Sequence, residues 1–99
     1  MQKIERITFG QAAKLVLAKY ENDHEGGLVD VKRNLKHLRR FFGGMPLVTI
    51  SGGDWLQYVC RRLEAGASKA AITSERDLLV LAFNLANVPA PHFDRAPRI

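Results

Sequence analysis

Apolar residues recur along this chain at intervals of three and four, the spacing that stacks side chains on one face of an α-helix. Phe9, Ala13, Val16 and Tyr20 make the first such stripe, and Thr8 with Gln11 forms a capping box ahead of it, so a helix is expected from about Phe9 to Asp23. Gly26 and Gly27 break the pattern. Leu28, Val31, Leu35, Leu38 and Phe42 restore it as a second amphipathic helix, which Gly43-Gly44 and then Pro46 bring to an end. Leu47-Val48-Thr49-Ile50 reads as a short extended stretch. Ser51 and Asp54 are a capping pair for a third helix carrying Trp55, Leu56, Val59, Cys60 and Leu63, and Gly66 closes it. Ser68 caps a fourth helix at once, so the two are joined with almost no slack. That helix should reach about Asn87, before Pro89 and Pro91 stiffen an extended tail.

The fourth helix is uneven. Ile72, Leu79, Phe83 and Ala86 form one apolar stripe, while Leu78, Leu81 and Leu85 form a second that a small bundle has difficulty covering. No repeat, low-complexity run or β-type alternation competes, so the expected class is an all-α four-helix bundle. Ninety-nine residues suit one domain. No apolar run approaches the roughly 20 residues of a membrane span, and no signal-peptide pattern follows Met1, so a cytoplasmic location without a membrane partner is expected. Cys60 is the single cysteine and has no disulfide partner, which fits a reducing compartment and a small buried hydrophobe.

Charge changes the picture. Lys and Arg total 15 against 10 Asp and Glu, a net charge of +5, which favours a polyanionic partner. Turning the second helix at roughly 100° per residue gathers Lys32, Arg33, Lys36, Arg39 and Arg40 opposite its apolar stripe, with Asp30 the one acidic neighbour. A solvated helix face would gain from acidic partners at i,i+4, and their absence leaves a cationic ridge whose self-repulsion a phosphate backbone relieves. Lys69, Thr73, Ser74 and Arg76 open the fourth helix, where backbone donors, hydroxyls and positive side chains together suit phosphate oxygens.

Other chemistry is not supported. His24, His37, His92 and Cys60 lack ligand spacing, so neither a metal nor another cofactor is expected. Gly43-Gly44 and Gly52-Gly53 are helix-boundary residues rather than phosphate loops. Tyr20 lies on an apolar stripe and Tyr58 on the third helix without a basic cluster, which assigns both to packing, and Trp55 belongs in the core.

The order of these segments resembles the N-terminal SAM-like, core-binding domain of phage integrases, the tyrosine recombinases. The likeness rests on Thr8-Phe9-Gly10, the run Leu35-Lys36-His37-Leu38-Arg39-Arg40-Phe41-Phe42, Pro46-Leu47-Val48-Thr49-Ile50 before Ser51, and Gly66-Ala67-Ser68 followed by Thr73 and Leu81-Ala82-Phe83-Asn84-Leu85-Ala86. It covers roughly residues 7–88. The resemblance implies a bacterial or phage-encoded domain that clamps double-stranded DNA during site-specific recombination and DNA integration. It implies DNA contacts from Lys32, Arg33, Lys36 and Arg40 on the second helix, and from Lys69, Thr73 and Arg76 on the fourth. The chain departs from many relatives at Gly26-Gly27-Leu28-Val29, where they carry Ser and Thr. Residues 1–88 are then the core-binding domain and 89–99 a linker towards a catalytic domain of the same chain, with other integrase protomers as partners on DNA.

The family's nucleophilic Tyr and its Arg, Lys and His residues belong to that catalytic domain, so no catalytic residue and no enzyme activity are expected here. His37 with Arg40 and His92 with Arg95 fit the H-x-x-R spacing of the recombinase active site by chance. The competing class is a helical protein-interaction module that docks through Leu78, Leu81 and Leu85, with the basic face incidental.

Overall fold

The computed structural model describes residues 7–23 and 27–93. Met1, His24, the expected turn residue Gly26 and Arg95 of the second H-x-x-R pair lie outside the described residues. Four α-helices follow one another among them: α1 (Phe9–Asp23), α2 (Leu28–Phe42), α3 (Gly52–Glu64) and α4 (Lys69–Leu85). None is long and apolar enough to cross a membrane.

Local chemistry sets the helix ends. The Thr8 amide donates to Gln11 Oε1 at 2.9 Å and the Gln11 amide to Thr8 Oγ1 at 3.2 Å, the expected box at the start of α1. Its next donors find backbone oxygens in the loop after α2: Phe9 N–H donates to Met45 O and Gly10 N–H to Gly43 O, both at 2.9 Å. A Cβ at Gly10 would sit 3.0 Å from that Gly43 oxygen, so glycine permits the close approach. Ser51 and Asp54 form the capping box of α3, and Ser68 Oγ accepts from Ala71 N–H at 3.1 Å on α4.

Both α3 and α4 close with the paired bonds of a Schellman turn. Ala67 N–H donates to Arg62 O at 2.9 Å across Gly66, whose φ is +92°, and Val88 N–H donates to Phe83 O at 3.0 Å across Asn87, whose φ is +59°. The second turn stops α4 at Leu85, two residues short of the expected Asn87.

The stretch 47–50 departs from the extended form expected of it. Leu47–Thr49 is one turn of 3₁₀ helix, because Pro46 fixes φ at −59° and its carbonyl accepts from both the Thr49 amide, at 2.9 Å, and Thr49 Oγ1, at 2.7 Å.

Helices α1, α2 and α4 pack pairwise, and α3 leans on them through aromatic rings. Ring centroids run in an unbroken chain: Phe9 to Phe42 at 6.2 Å, Phe42 to Tyr58 at 5.3 Å, Tyr58 to Trp55 at 5.4 Å, Trp55 to Phe93 at 5.8 Å and Phe93 to Phe83 at 5.8 Å. Such contacts add about 0.5–1.5 kcal/mol each beyond the area they bury. The inward stripe of α3 is Trp55, Tyr58 and Val59, whereas Cys60 and Leu56 are exposed. Cys60 is therefore not the buried hydrophobe expected of it; Tyr58 takes the inward place, its hydroxyl donating to the buried Glu75.

On α4, Leu78 is buried and Leu81 and Leu85 are half-buried against the core, so the second leucine stripe is largely spent on folding. Within the stretch expected to be a linker, Phe93 is buried against the core.

Candidate nucleic-acid interface

Every member of the ridge on α2 is exposed: Lys32, Arg33, Lys36, Arg39 and Arg40. Its stability as a helix does not depend on them, since Val31, Leu35, Leu38 and Phe42 bury the opposite face. Asp30 is not an idle neighbour: Arg33 donates to it at 2.6 Å with both side chains mostly in solvent, a pair of the exposed kind that contributes about 0–1 kcal/mol. The other four form no ion pair among the described residues.

Helices α2 and α4 lie side by side across an open groove of about 280 Å³, into which Arg33, Asn34 and His37 face Ala70, Ala71 and Ser74. The residues expected to act with the ridge, Lys69, Thr73 and Arg76, are not on that side. At 3.6 residues per turn they share a stripe rotated roughly 100–160° from Ser74, on the far flank of α4. Arg76 is committed to the fold, its Nε donating to Phe93 O at 2.8 Å and its Nη1 to Asp77 at 3.0 Å. Lys69 is exposed and Thr73 half-buried. The structure thus brings the front of α4 beside the ridge but places its three expected contact residues apart from it.

Toward the other end the groove passes His37 and Arg62 into a second concavity of about 200 Å³, lined by Arg40, Phe41, Tyr58, Arg61 and Ala65. Arg61 and Arg62 were not singled out from sequence; two adjacent arginines on a third helix carry no signal until packing sets that helix beside α2. The groove is polarised along its length. Its far end holds the carboxylates Asp30 and Asp77, and this end holds guanidinium groups.

Beneath the basic end lies Glu75, fully buried. Its Oε1 accepts from the Tyr58 hydroxyl at 2.5 Å and from Arg62 Nε at 3.0 Å, and its Oε2 accepts from Arg62 Nη2 at 2.8 Å. This bidentate contact is the first cause of the raised Arg62 pKa. Tyr58, expected to lie away from basic groups, shares its concavity with Arg40, Arg61 and Arg62, yet its hydroxyl is buried and already donates. Burial first, then the hydrogen bond to Glu75 and its charge, push the Tyr58 phenol far above its ordinary value of 10.0. His37 moves the other way: burial lowers its pKa, as do Arg62, Arg40 and Lys36, against a raising influence of Glu75.

The Tyr58 shift has a stability consequence. A folded-state pKa raised above the unfolded one favours folding fully below about pH 10, and that contribution drains away at about 1.4 kcal/mol per pH unit above it. The Tyr58 tyrosinate absorbance should therefore appear together with loss of the helical circular dichroism in an alkaline titration. A folded protein with both tyrosines ionised would contradict the burial described.

No protein-family model, curated protein or solved structure matches the chain.

Proposed function

We propose that this chain grips duplex DNA along α2, in the manner of the core-binding domain that its sequence resembles, and so acts as a DNA-holding part of a phage-type integrase. The observation that carries the reading is the ridge itself: Lys32, Lys36, Arg39 and Arg40 project from one helix face, exposed and without carboxylate partners among the described residues. Phosphate is the anion such a row suits, because regularly spaced cations match a regularly spaced backbone, and their mutual repulsion is relieved on binding. Arg33 joins the row at small cost, its exposed pair with Asp30 being weak. Lys69 and Thr73 extend the footprint around the tip of α4, whereas Arg76 serves the tail. Partners in this reading are double-stranded DNA, a catalytic domain and neighbouring protomers on the same DNA; no cofactor enters.

Contacts of this kind hold register without reading bases. With about five phosphates neutralised, the slope of log affinity against log salt is expected near −4.5, so raising salt from about 50 to 200 mM should weaken binding roughly 500-fold. Lys36→Ala and Arg40→Ala should each reduce the slope by nearly 1. Titration of labelled duplex by anisotropy checks this, and binding that is absent or indifferent to salt would remove the reading.

A further inference from the structure

The geometry points to the concavity between α2 and α3, walled by Arg40, Arg61 and Arg62 over Phe41 and Tyr58, as a discrete binding pocket for a phosphate group. Naming its occupant as a backbone phosphate rests on the DNA-gripping reading; the pocket itself does not.

Three features distinguish it from a row of solvated cations. It is concave and has an apolar floor, so a bound anion loses water on one side and meets fixed donors on the others. Two of the donors are held. Arg62 is anchored from beneath by Glu75, and the Arg61 guanidinium carbon lies over the Phe41 ring, 5.3 Å from its centre and within cation–π range. Finally, the charge is unbalanced: Glu75 answers Arg62, but Arg40 and Arg61 have no carboxylate partner among the described residues. The forks of Arg40 and Arg61, with the Arg62 N–H groups that Glu75 leaves free, suit the tetrahedral oxygens of phosphate, which accept contacts from several sides. Arg40 belongs to both the ridge and the pocket, so a backbone following the ridge reaches the pocket next.

His37 borders the same concavity and senses its field. Arg62 on α3 and Arg40 and Lys36 on its own helix oppose its protonation, and Glu75 on α4 favours it, while Arg33, Asp30, Arg61 and Tyr58 complete the charged and titratable groups lining the two concavities that meet at His37. A phosphate in the pocket cancels part of that positive field, so binding draws a proton onto the imidazole. Affinity for duplex then rises as pH falls from about 7.5 to about 5.5, a range in which the phosphodiester does not titrate and histidine does.

The test uses the full chain and labelled duplex. Arg61→Gln is expected to weaken binding roughly tenfold and cut the salt slope by about 0.9, while Lys14→Gln on the exposed face of α1 gives the effect of losing one distant charge. His37→Gln should abolish the gain in affinity at low pH. Should Arg61→Gln match Lys14→Gln, the pocket is overturned, and the ridge stands as long as Lys36→Ala still lowers the slope. If wild-type protein binds no duplex, the DNA reading fails, and titration with inorganic pyrophosphate followed by NMR of the Arg61 Nε and His37 ring signals decides the pocket: saturable shifts keep it as a free-phosphate site, and unmoved signals remove it.

Discussion

Glu75→Ala is expected to destabilise the fold by about 3–5 kcal/mol, the range for breaking a buried charge pair by removing one partner. Against a domain stability of about 5–15 kcal/mol this is a large fraction. The carboxylate is fully buried and accepts three hydrogen bonds, so its loss strands the Tyr58 hydroxyl and Arg62 together and leaves a void among them. Arg62 retains some solvent access, 17% of its side chain, which limits its share of the penalty. Glu75→Gln keeps the volume and one acceptor but turns an amide donor toward Arg62, and a loss of about 1.5–3 kcal/mol is expected. Urea unfolding followed by circular dichroism measures both. The pair itself need not favour folding over a hydrophobic alternative: Tyr58→Phe, Arg62→Met and Glu75→Leu combined should come close to wild type, because nothing polar is left unpaired. A Glu75→Ala loss below about 1 kcal/mol would show that the triad is not held as described.

The same triad shows where sequence legibility ends. The helix termini were readable because their causes are local: Thr8 with Gln11, Ser51 with Asp54, and Ser68 each bond within three residues. The ridge on α2 was readable because one helical period fixes which residues share its face. Tyr58, Arg62 and Glu75 were not, since a buried acid becomes intelligible only when its partners, 17 and 13 residues away, are brought beside it. Without those partners, helical spacing alone adds Leu56 and Cys60 to the apolar face of α3 and omits Tyr58, whereas Trp55, Tyr58 and Val59 are the buried ones. The residues expected to make contacts on α4 lie apart from the ridge for a related reason. Lys69, Thr73 and Arg76 do share a stripe, but only packing determines which side of α4 meets α2, and that side carries Ala70 and Ser74.

Phe93→Ala is expected to cost about 3–5 kcal/mol, as for other buried phenylalanines truncated in a core. Phe93 is 1% exposed and fills the gap between Trp55 and Phe83, at 5.8 Å from each ring, so its removal opens the end of the bundle that α3 and α4 share. Ending the chain after Val88 should cost at least as much and shift Trp55 fluorescence to longer wavelength as water reaches the indole; an unshifted, fully stable fragment would refute the packing of the tail. The role of Arg76 follows from the same contact. Its Nε donates to the Phe93 carbonyl at 2.8 Å, so Arg76→Ala should lower stability by about 1.5–3 kcal/mol while leaving the salt slope of DNA binding nearly unchanged. Lys36→Ala should do the reverse, because an exposed lysine on a ridge contributes little to folding and one charge to the interface. The two variants therefore separate arginine that builds the domain from lysine that meets phosphate, a division that charge counting alone cannot make.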